Sequence, residues 1–159
     1  MSNSENVYIR KIDFGDADDV LVWENDVENW RSSSNDSPYT ILDIINLISE
    51  LQDVAVAKQG RWIICGVSDD RTIGAVDLTE INFEKGIATV GVLVAKKDDR
   101  EKGFATAGIK FLESEARGLG IKKLACTIHS DNYASIRLFE KLNFEKIGKT
   151  YVECIFDVF

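Results

Sequence analysis

Apolar positions recur along this chain with two different periods, and the change of period separates predicted strands from predicted helices. Runs of β-branched and aromatic residues have strand length at residues 7–12, 62–67, 72–81, 87–94, 122–128, 144–149 and 151–159. Apolar positions three and four residues apart predict amphipathic helices at 16–26, 40–51, 103–117 and 132–142. This order predicts an α/β (α+β) fold, in which about four helices cover a mixed, mostly antiparallel sheet of about seven strands.

The stretch from residue 86 to residue 117 joins a buried strand to an amphipathic helix through a charged loop. Because Gly103 opens the helix, no side chain stands between the first backbone amides and an approaching ligand. Those amides lack carbonyl partners four residues back, and the helix dipole adds partial positive charge there. The turn at residues 100–106 is therefore predicted to bind a phosphate or pyrophosphate. The next strand, 122–128, must then run parallel to 87–94.

Length and composition predict one globular domain spanning residues 1–159, since 45% of the 159 residues are hydrophobic. No apolar run reaches the roughly eighteen residues of a membrane span, and the first residues lack a signal-peptide core. We therefore expect a cytoplasmic protein that does not bind a membrane. The three cysteines, Cys65, Cys126 and Cys154, lie in apolar runs and are expected to be reduced packing residues. With a single histidine, His129, and no C-x-x-C spacing, we expect no metal site.

The net charge of −8 is unevenly distributed, because residues 1–60 carry 12 acidic and 4 basic side chains while the remainder is neutral. An acidic protein is a poor nucleic-acid binder, since binding replaces phosphate counterions with basic side chains. The acidic first part suits a cationic partner. Solubility alone would explain the same excess equally well.

Two motifs give the chain a family resemblance. Residues 100–105 read R-x-x-G-x-A, and residues 132–144 read N-Y-A-S-I-R-L-F-E-K-L-N-F. In this order they resemble the acyl-CoA pyrophosphate loop and the closing helix of the GNAT N-acetyltransferase superfamily. Asn143 replaces the glycine that ends this helix in the family, which is a mild change because asparagine tolerates the left-handed conformation.

The resemblance implies a GNAT-like sheet that splays between its fourth and fifth strands, and acetyl-CoA as the co-substrate. Gly91 could permit a strand bulge at the splay, or it could be an ordinary strand glycine. The residues that the resemblance assigns to acetyl-CoA are Leu93, Val94, Arg100, Glu101, Lys102, Gly103, Phe104, Ala105, Thr106, Asn132 and Phe139.

Phe139 stands where many family members carry the tyrosine that protonates the CoA sulfur, and phenylalanine cannot donate a proton. Ser135, one turn earlier, is a candidate hydrogen-bond donor to the sulfur, although surface solvation explains it equally well. Asn132 could hold the pantetheine amide, cap the helix, or do both.

The general base is assigned first to Glu80, near the end of the strand that pairs with residues 87–94, and next to Glu24 and Glu28. His129 ranks below Glu80, because a single histidine at a strand end is more often solvated than catalytic.

Residues 23–30 resemble the acceptor-side helix of the branch that contains ribosomal-protein N-terminal and spermidine acetyltransferases. The residues that this resemblance assigns to the acceptor are Trp23, Glu24, Glu28 and Trp30. Core packing is the more frequent role for either tryptophan taken singly.

The implied reaction is direct acetyl transfer from acetyl-CoA to a primary amine, which is expected to be a cationic polyamine-like molecule or a protein amino group. Because Phe139 leaves the acid role empty, a catalytically idle CoA-binding or sensor module on the same fold is the alternative. A plain interaction domain is a third possibility, disfavoured by the 100–105 motif. The sequence leaves the choice between monomer and homodimer open.

Overall fold

A seven-stranded sheet runs through the computed structural model, which describes residues 6–26 and 38–154. The strands are β1 (Val7–Lys11), β2 (Gly60–Gly66), β3 (Thr72–Asn82), β4 (Ile87–Val94), β5 (Lys123–Thr127), β6 (Glu145–Ile147) and β7 (Thr150–Cys154). Their order in the sheet is β1-β2-β3-β4-β5-β7-β6, and only β4 and β5 pair in parallel. The predicted mixed, mostly antiparallel sheet is confirmed.

The described ranges contain five α-helices, one more than the sequence pattern predicted. They are α1 (Ala17–Asn25), α2 (Ile41–Glu50), α3 (Val54–Ala57), α4 (Phe104–Gly118) and α5 (Tyr133–Lys141). The helix missed is α3, which is a single turn and too short to show a helical period. None of the described helices has both the length and the apolar content needed to cross a bilayer.

Capping signals located the helix ends well. Thr40 begins α2, at the residue where the sequence predicts that helix to start, with a capping box: its hydroxyl accepts from the Asp43 amide at 3.2 Å, and the Asp43 carboxylate accepts from the Thr40 amide at 2.8 Å. Asn143, which follows α5, has a φ of 68°, so asparagine does replace glycine at a left-handed position.

Alternate residues of the central strands face two separate apolar cores. Val76 and Leu78 of β3 belong to a cluster with Ile109 and Leu112 of α4. On the opposite face, Ala75 belongs to a cluster built with buried residues of β2, α1 and α2: Ile63, Cys65, Val20, Ile44 and Ile48. Because side chains of a strand alternate between its faces, α4 covers one face of the sheet, and α1 and α2 cover the other.

The sheet opens between β4 and β5. The two strands pair from Ile87↔Lys123 to Thr89↔Ala125, whereas β4 continues beside β3 as far as Val94. Beyond Thr89, β4 is therefore paired on one side only within the described chain, which creates the β4–β5 opening. Gly91 pairs in regular register with Asp77. Of the two alternatives for this residue, an ordinary strand glycine is therefore correct, and no bulge forms there.

Candidate active site

The start of α4 leaves backbone amides without helical partners. Gly103 precedes the helix with a φ of 84°, a left-handed conformation that favours glycine. In the described part of the chain no side chain caps this helix, and the Gly103 carbonyl accepts the first helical bond, from the Ala107 amide. The amides of residues 104–106 are thus available to a ligand, as a pyrophosphate requires. Three exposed lysines flank them: Lys96, Lys97 and Lys102.

The loop between β4 and α4 is anchored by a buried carboxylate. Asp99 has a side chain only 7% exposed, and both of its oxygens accept from the Arg71 guanidinium, at 2.7 and 3.0 Å. This two-pronged hydrogen bonding holds the pKa of Asp99 below its usual value, so the carboxylate remains charged and neutralised by Arg71. The pair was not found from the sequence, because 28 positions separate its members.

A second contact fixes the loop to the end of β4. The Arg100 side chain donates from Nε to the Val94 carbonyl at 3.2 Å, and the Ala95 amide donates to the Ile73 carbonyl at 3.0 Å. Since Arg100 is engaged at Val94, it lies at the end of β4 that borders the β4–β5 opening. Arg100, the first residue of the 100–105 motif, therefore also lies at the boundary of the β4–β5 opening.

The residues assigned to α5 divide between helix surface and core. Asn132 is the N-cap, and its Oδ1 accepts from the Ser135 amide at 3.2 Å. Ser135 is partly exposed and lies in the first turn. Phe139 is 3% exposed, and its ring packs edge-on against Phe144 at a centroid distance of 4.9 Å.

Glu80 lies where the β3–β4 pairing becomes irregular. Its φ is 49°, and the register shifts between Thr79 and Asn82. The exposed Glu80 carboxylate accepts from the Thr89 hydroxyl at 3.4 Å, and Thr89 is the last residue of β4 that pairs with β5. Glu80 is thus close to the start of the β4–β5 opening. His129 is exposed, and its Nδ1 lies 2.6 Å from Asp131.

The two acceptor assignments that lie within the described residues, Trp23 and Glu24, are buried. Trp23 of α1 is 9% exposed and packs in the apolar core that α1 and α2 form with the sheet. The buried Glu24 carboxylate is 2.6 Å from the Arg61 guanidinium, which also pairs with Asp77 at 2.7 Å. Glu28 and Trp30 lie outside the described residues. Arg61 and Asp77 were not selected from the sequence, although charged residues within two otherwise apolar strands were a usable signal.

The cysteines described in the structure are packing residues. Cys65 and Cys126 are buried and free, and burial raises the pKa of the Cys126 thiol to about 12. A thiol with so high a pKa is protonated at neutral pH and is a poor nucleophile. Across residues 6–26 and 38–154, no group of three or more histidine, cysteine or acidic side chains is arranged to hold a metal ion.

Comparison with known proteins places these features in a family. The acetyltransferase (GNAT) domain family matches residues 6–145. An uncharacterized N-acetyltransferase p20 from Bacillus licheniformis is 26% identical over 147 residues, covering 91% of this chain and 82% of that protein.

Solved structures share the fold at low identity. Spermidine N-acetyltransferase from Vibrio cholerae, in complex with CoA and spermine, superimposes with a TM-score of 0.76 at 20% identity, covering 93% of this chain and 92% of that one. An N-acetyltransferase from Staphylococcus aureus Mu50 gives a TM-score of 0.77 at 19% identity, with coverages of 94% and 99%.

The family match over residues 6–145 defines the class of this protein as an acetyltransferase, and the sheet that opens beside the parallel pair β4–β5 is the one that the resemblance implied. The chain belongs to the GNAT acetyltransferase family within that class, and the resemblance of its two motifs is confirmed. It is an acetyl-CoA-dependent N-acetyltransferase.

Proposed function

We propose that this protein transfers the acetyl group of acetyl-CoA to a primary amine that is cationic before it reacts, either a polyamine-like molecule or a protein amino group. The observation that carries the proposal is the β4–β5 opening, where β4 has no β5 partner beyond Thr89. The anion-binding start of α4 stands on one face, and the acidic first part of the chain packs on the other. Donor and acceptor would meet in the opening as a ternary complex.

The amides of residues 104–106 are suited to bind the pyrophosphate of CoA, with the nearby lysines adding positive charge. The pantetheine arm would then run along β4 beyond Thr89, where Leu93 and Val94 have no β5 partner in the described chain. Extended ligands bind well at such an edge, because free backbone groups supply hydrogen bonds.

The chemistry requires a base for the ammonium, a hydrogen-bond donor to the sulfur and a group that orients the pantetheine amide. The neutral amine nitrogen attacks the thioester carbonyl carbon, and a C–N bond forms. The C–S bond then breaks to release the CoA thiolate, which takes up the proton that the attacking nitrogen loses on becoming an amide. Glu80 is proposed to accept the proton that the ammonium loses, because its exposed carboxylate lies beside Thr89. Ser135 is proposed to donate a hydrogen bond to the sulfur, and Asn132 to orient the pantetheine amide while capping α5.

The acidic first sixty residues favour a cationic acceptor, since complementary charge steers association. Proteins of the same fold act on polyamines, including the spermidine N-acetyltransferase from Vibrio cholerae. Spermidine is therefore the first acceptor to test.

A CoA-binding module without turnover is the competing function. It is favoured by Phe139, which occupies the position of the family's acid and is buried against Phe144. A thiolate with a reference pKa of about 8.5 leaves without a strong acid, so the missing hydroxyl does not exclude catalysis.

Calorimetry with acetyl-CoA and a thiol-release assay with amines separate these functions. The amine panel should contain spermidine, spermine, an aminoglycoside, a free amino acid and a peptide with a free N-terminus. Gly103→Val should abolish acetyl-CoA binding. Gly120→Val is the matched control, because Gly120 follows the other end of α4 with a φ of 80° and open space around its Cβ position.

Binding of acetyl-CoA without thiol release by any amine would identify the idle module. Equal acetyl-CoA affinity of Gly103→Val and the parent would contradict the placement of the pyrophosphate.

A further inference from the structure

Three charged side chains from three elements form an ion network under α1. Arg61 of β2 donates from Nη1 to the Glu24 carboxylate at 2.6 Å, and from Nε and Nη2 to the two oxygens of Asp77 at 2.7 and 3.1 Å. Proximity to both carboxylates raises the pKa of Arg61, so the guanidinium stays charged. Two carboxylates against one guanidinium leave the network with one uncompensated negative charge.

The Asp77 end of this network lies one strand away from the β4–β5 opening. Asp77 pairs directly with Gly91, which lies two residues beyond the last β4–β5 pair at Thr89. Asp77 shares its sheet face with Ala75, which packs on the α1 and α2 side. Its carboxylate therefore lies one strand from the opening, about 5 Å in strand spacing, on the face opposite α4.

Gly91 leaves the carboxylate uncovered. A Cβ built at Gly91 would lie 3.7 Å from both the Cβ and Oδ2 of Asp77, at ordinary contact distance. Any side chain at this position would stand between the carboxylate and the opening. Glycine therefore keeps a path from the opening to Asp77.

Asp77 also has unused capacity to accept hydrogen bonds. A carboxylate offers about four lone-pair sites, and Arg61 occupies one on each oxygen. The Asp77 side chain is 25% exposed, whereas that of Glu24 is 7% exposed. Of the two acids, Asp77 is thus the one that a ligand can reach. Glu24 is buried and holds the Arg61 guanidinium in place by accepting its hydrogen bond.

We propose that Asp77 binds the nitrogen of the acceptor amine and aligns it with the acetyl group, and that Arg61 and Glu24 are positioning residues that fix the Asp77 carboxylate. This inference rests on the proposed acetyl transfer and adds the residue that selects a cationic acceptor. Because the negative charge is fixed before the amine arrives, no reorganisation is needed on binding. Glu80, on the paired side of Thr89, then accepts the proton.

The test uses spermidine and a short peptide with a free N-terminus as probe acceptors, at saturating acetyl-CoA. Asp77→Asn should raise the KM for the reactive probe by about ten- to a hundredfold, as expected for losing a hydrogen bond to a charged group. Its affinity for acetyl-CoA, measured by calorimetry, should be unchanged. Asp18→Asn is the matched control, because it removes one exposed carboxylate of α1 and alters the net charge equally.

Gly91→Ala tests the same inference with the ion network intact. The added methyl fits without a clash, so the variant should fold with an unchanged or higher Tm, yet raise the KM for the amine by covering Asp77. If the parent acetylates a probe while both variants keep its KM, Asp77 does not bind the amine and the acetyl transfer stands. If the parent releases thiol with no amine of the panel, the proposed function is wrong and this inference falls with it.

Discussion

Arg71 and Asp99 form a two-pronged ion pair that ties the turn between β2 and β3 to the loop between β4 and α4. The pair buries a negative charge directly beside a loop that is suited to bind an anion. Without its Arg71 partner, the Asp99 carboxylate would repel a pyrophosphate. Arg71 thus holds the loop in place and neutralises the Asp99 carboxylate that anchors it.

Replacing Arg71 with glutamine should weaken acetyl-CoA binding and lower the free energy of unfolding. The buried Asp99 loses its charged partner, which costs about 1–3 kcal/mol for an unsatisfied buried group. Arg10→Gln is the matched control, because Arg10 makes an equivalent pair with the buried Asp16, at 2.8 and 2.7 Å, far along the chain from the loop. Calorimetry and thermal unfolding should show lost stability in both variants and lost acetyl-CoA affinity only for Arg71→Gln.

The Arg71–Asp99 pair should also contribute to the loss of stability in acid. Hydrogen bonds from Arg71 hold the pKa of Asp99 below its unfolded value of about 3.9. The stabilisation is therefore complete above the unfolded pKa and is lost as the pH falls through the lower folded pKa. Urea unfolding from pH 7 to pH 2.5 should show a smaller acid loss for Asp99→Asn than for the parent. Parallel curves would mean that Asp99 has the same pKa in both states.

Ser135→Ala should reduce kcat by about ten- to a hundredfold, the value of a hydrogen bond to the negative charge that develops on the sulfur in the transition state. The affinity for acetyl-CoA should stay the same, because the interaction with the departing thiolate is absent from the ground state. The backbone role of Ser135 survives the change, since its amide still donates to Asn132. Ser114→Ala on the exposed side of α4 is the control. An unaltered kcat would remove Ser135 from the mechanism.

Two glycines of α4 should respond oppositely to the same substitution. A Cβ at Gly108 would lie 2.5 Å from Val76 Cγ1 and 3.1 Å from Ile64 Cδ1, both buried under the helix. Gly108→Ala should therefore destabilise the protein by about 1–3 kcal/mol through overpacking, despite the better helix propensity of alanine. Gly118→Ala, with nothing within 4 Å, should stabilise it by up to about 1 kcal/mol. Denaturant midpoints of the two variants give the comparison.

Local signals in the sequence were sufficient for most of the fold. The capping box at Thr40 and the N-cap at Asn132 depend on residues three positions apart, so a linear pattern reveals them. The splay between the fourth and fifth strands came with the family resemblance, and the pairing of β4 with β5 confirms it. The bulge at Gly91 was not formed, because the separation from β5 needs no irregularity in the β3–β4 ladder.

The candidate site was predictable only where it is continuous in sequence. Gly103 and its neighbours form one turn, and the helix start follows from their order. Asp77 and Arg61 are 16 positions apart, and Glu24 is a further 37 from Arg61, so only the folded sheet brings them together. Glu24 is predicted from the sequence as an acceptor contact, and the structure shows its carboxylate buried against Arg61.

In the described part of the chain, β4 has no partner on its β5 side beyond Thr89, which gives the protein a strand edge in the middle of its sheet. Edges at a rim invite other chains to add to them, which is a route to aggregation. Here a foreign strand would have to thread between two strands of one molecule. The enzyme thus keeps a strip of backbone ready for pairing without offering it to its neighbours in solution, and the pantetheine arm proposed to run along β4 would extend the hydrogen bonding of the sheet.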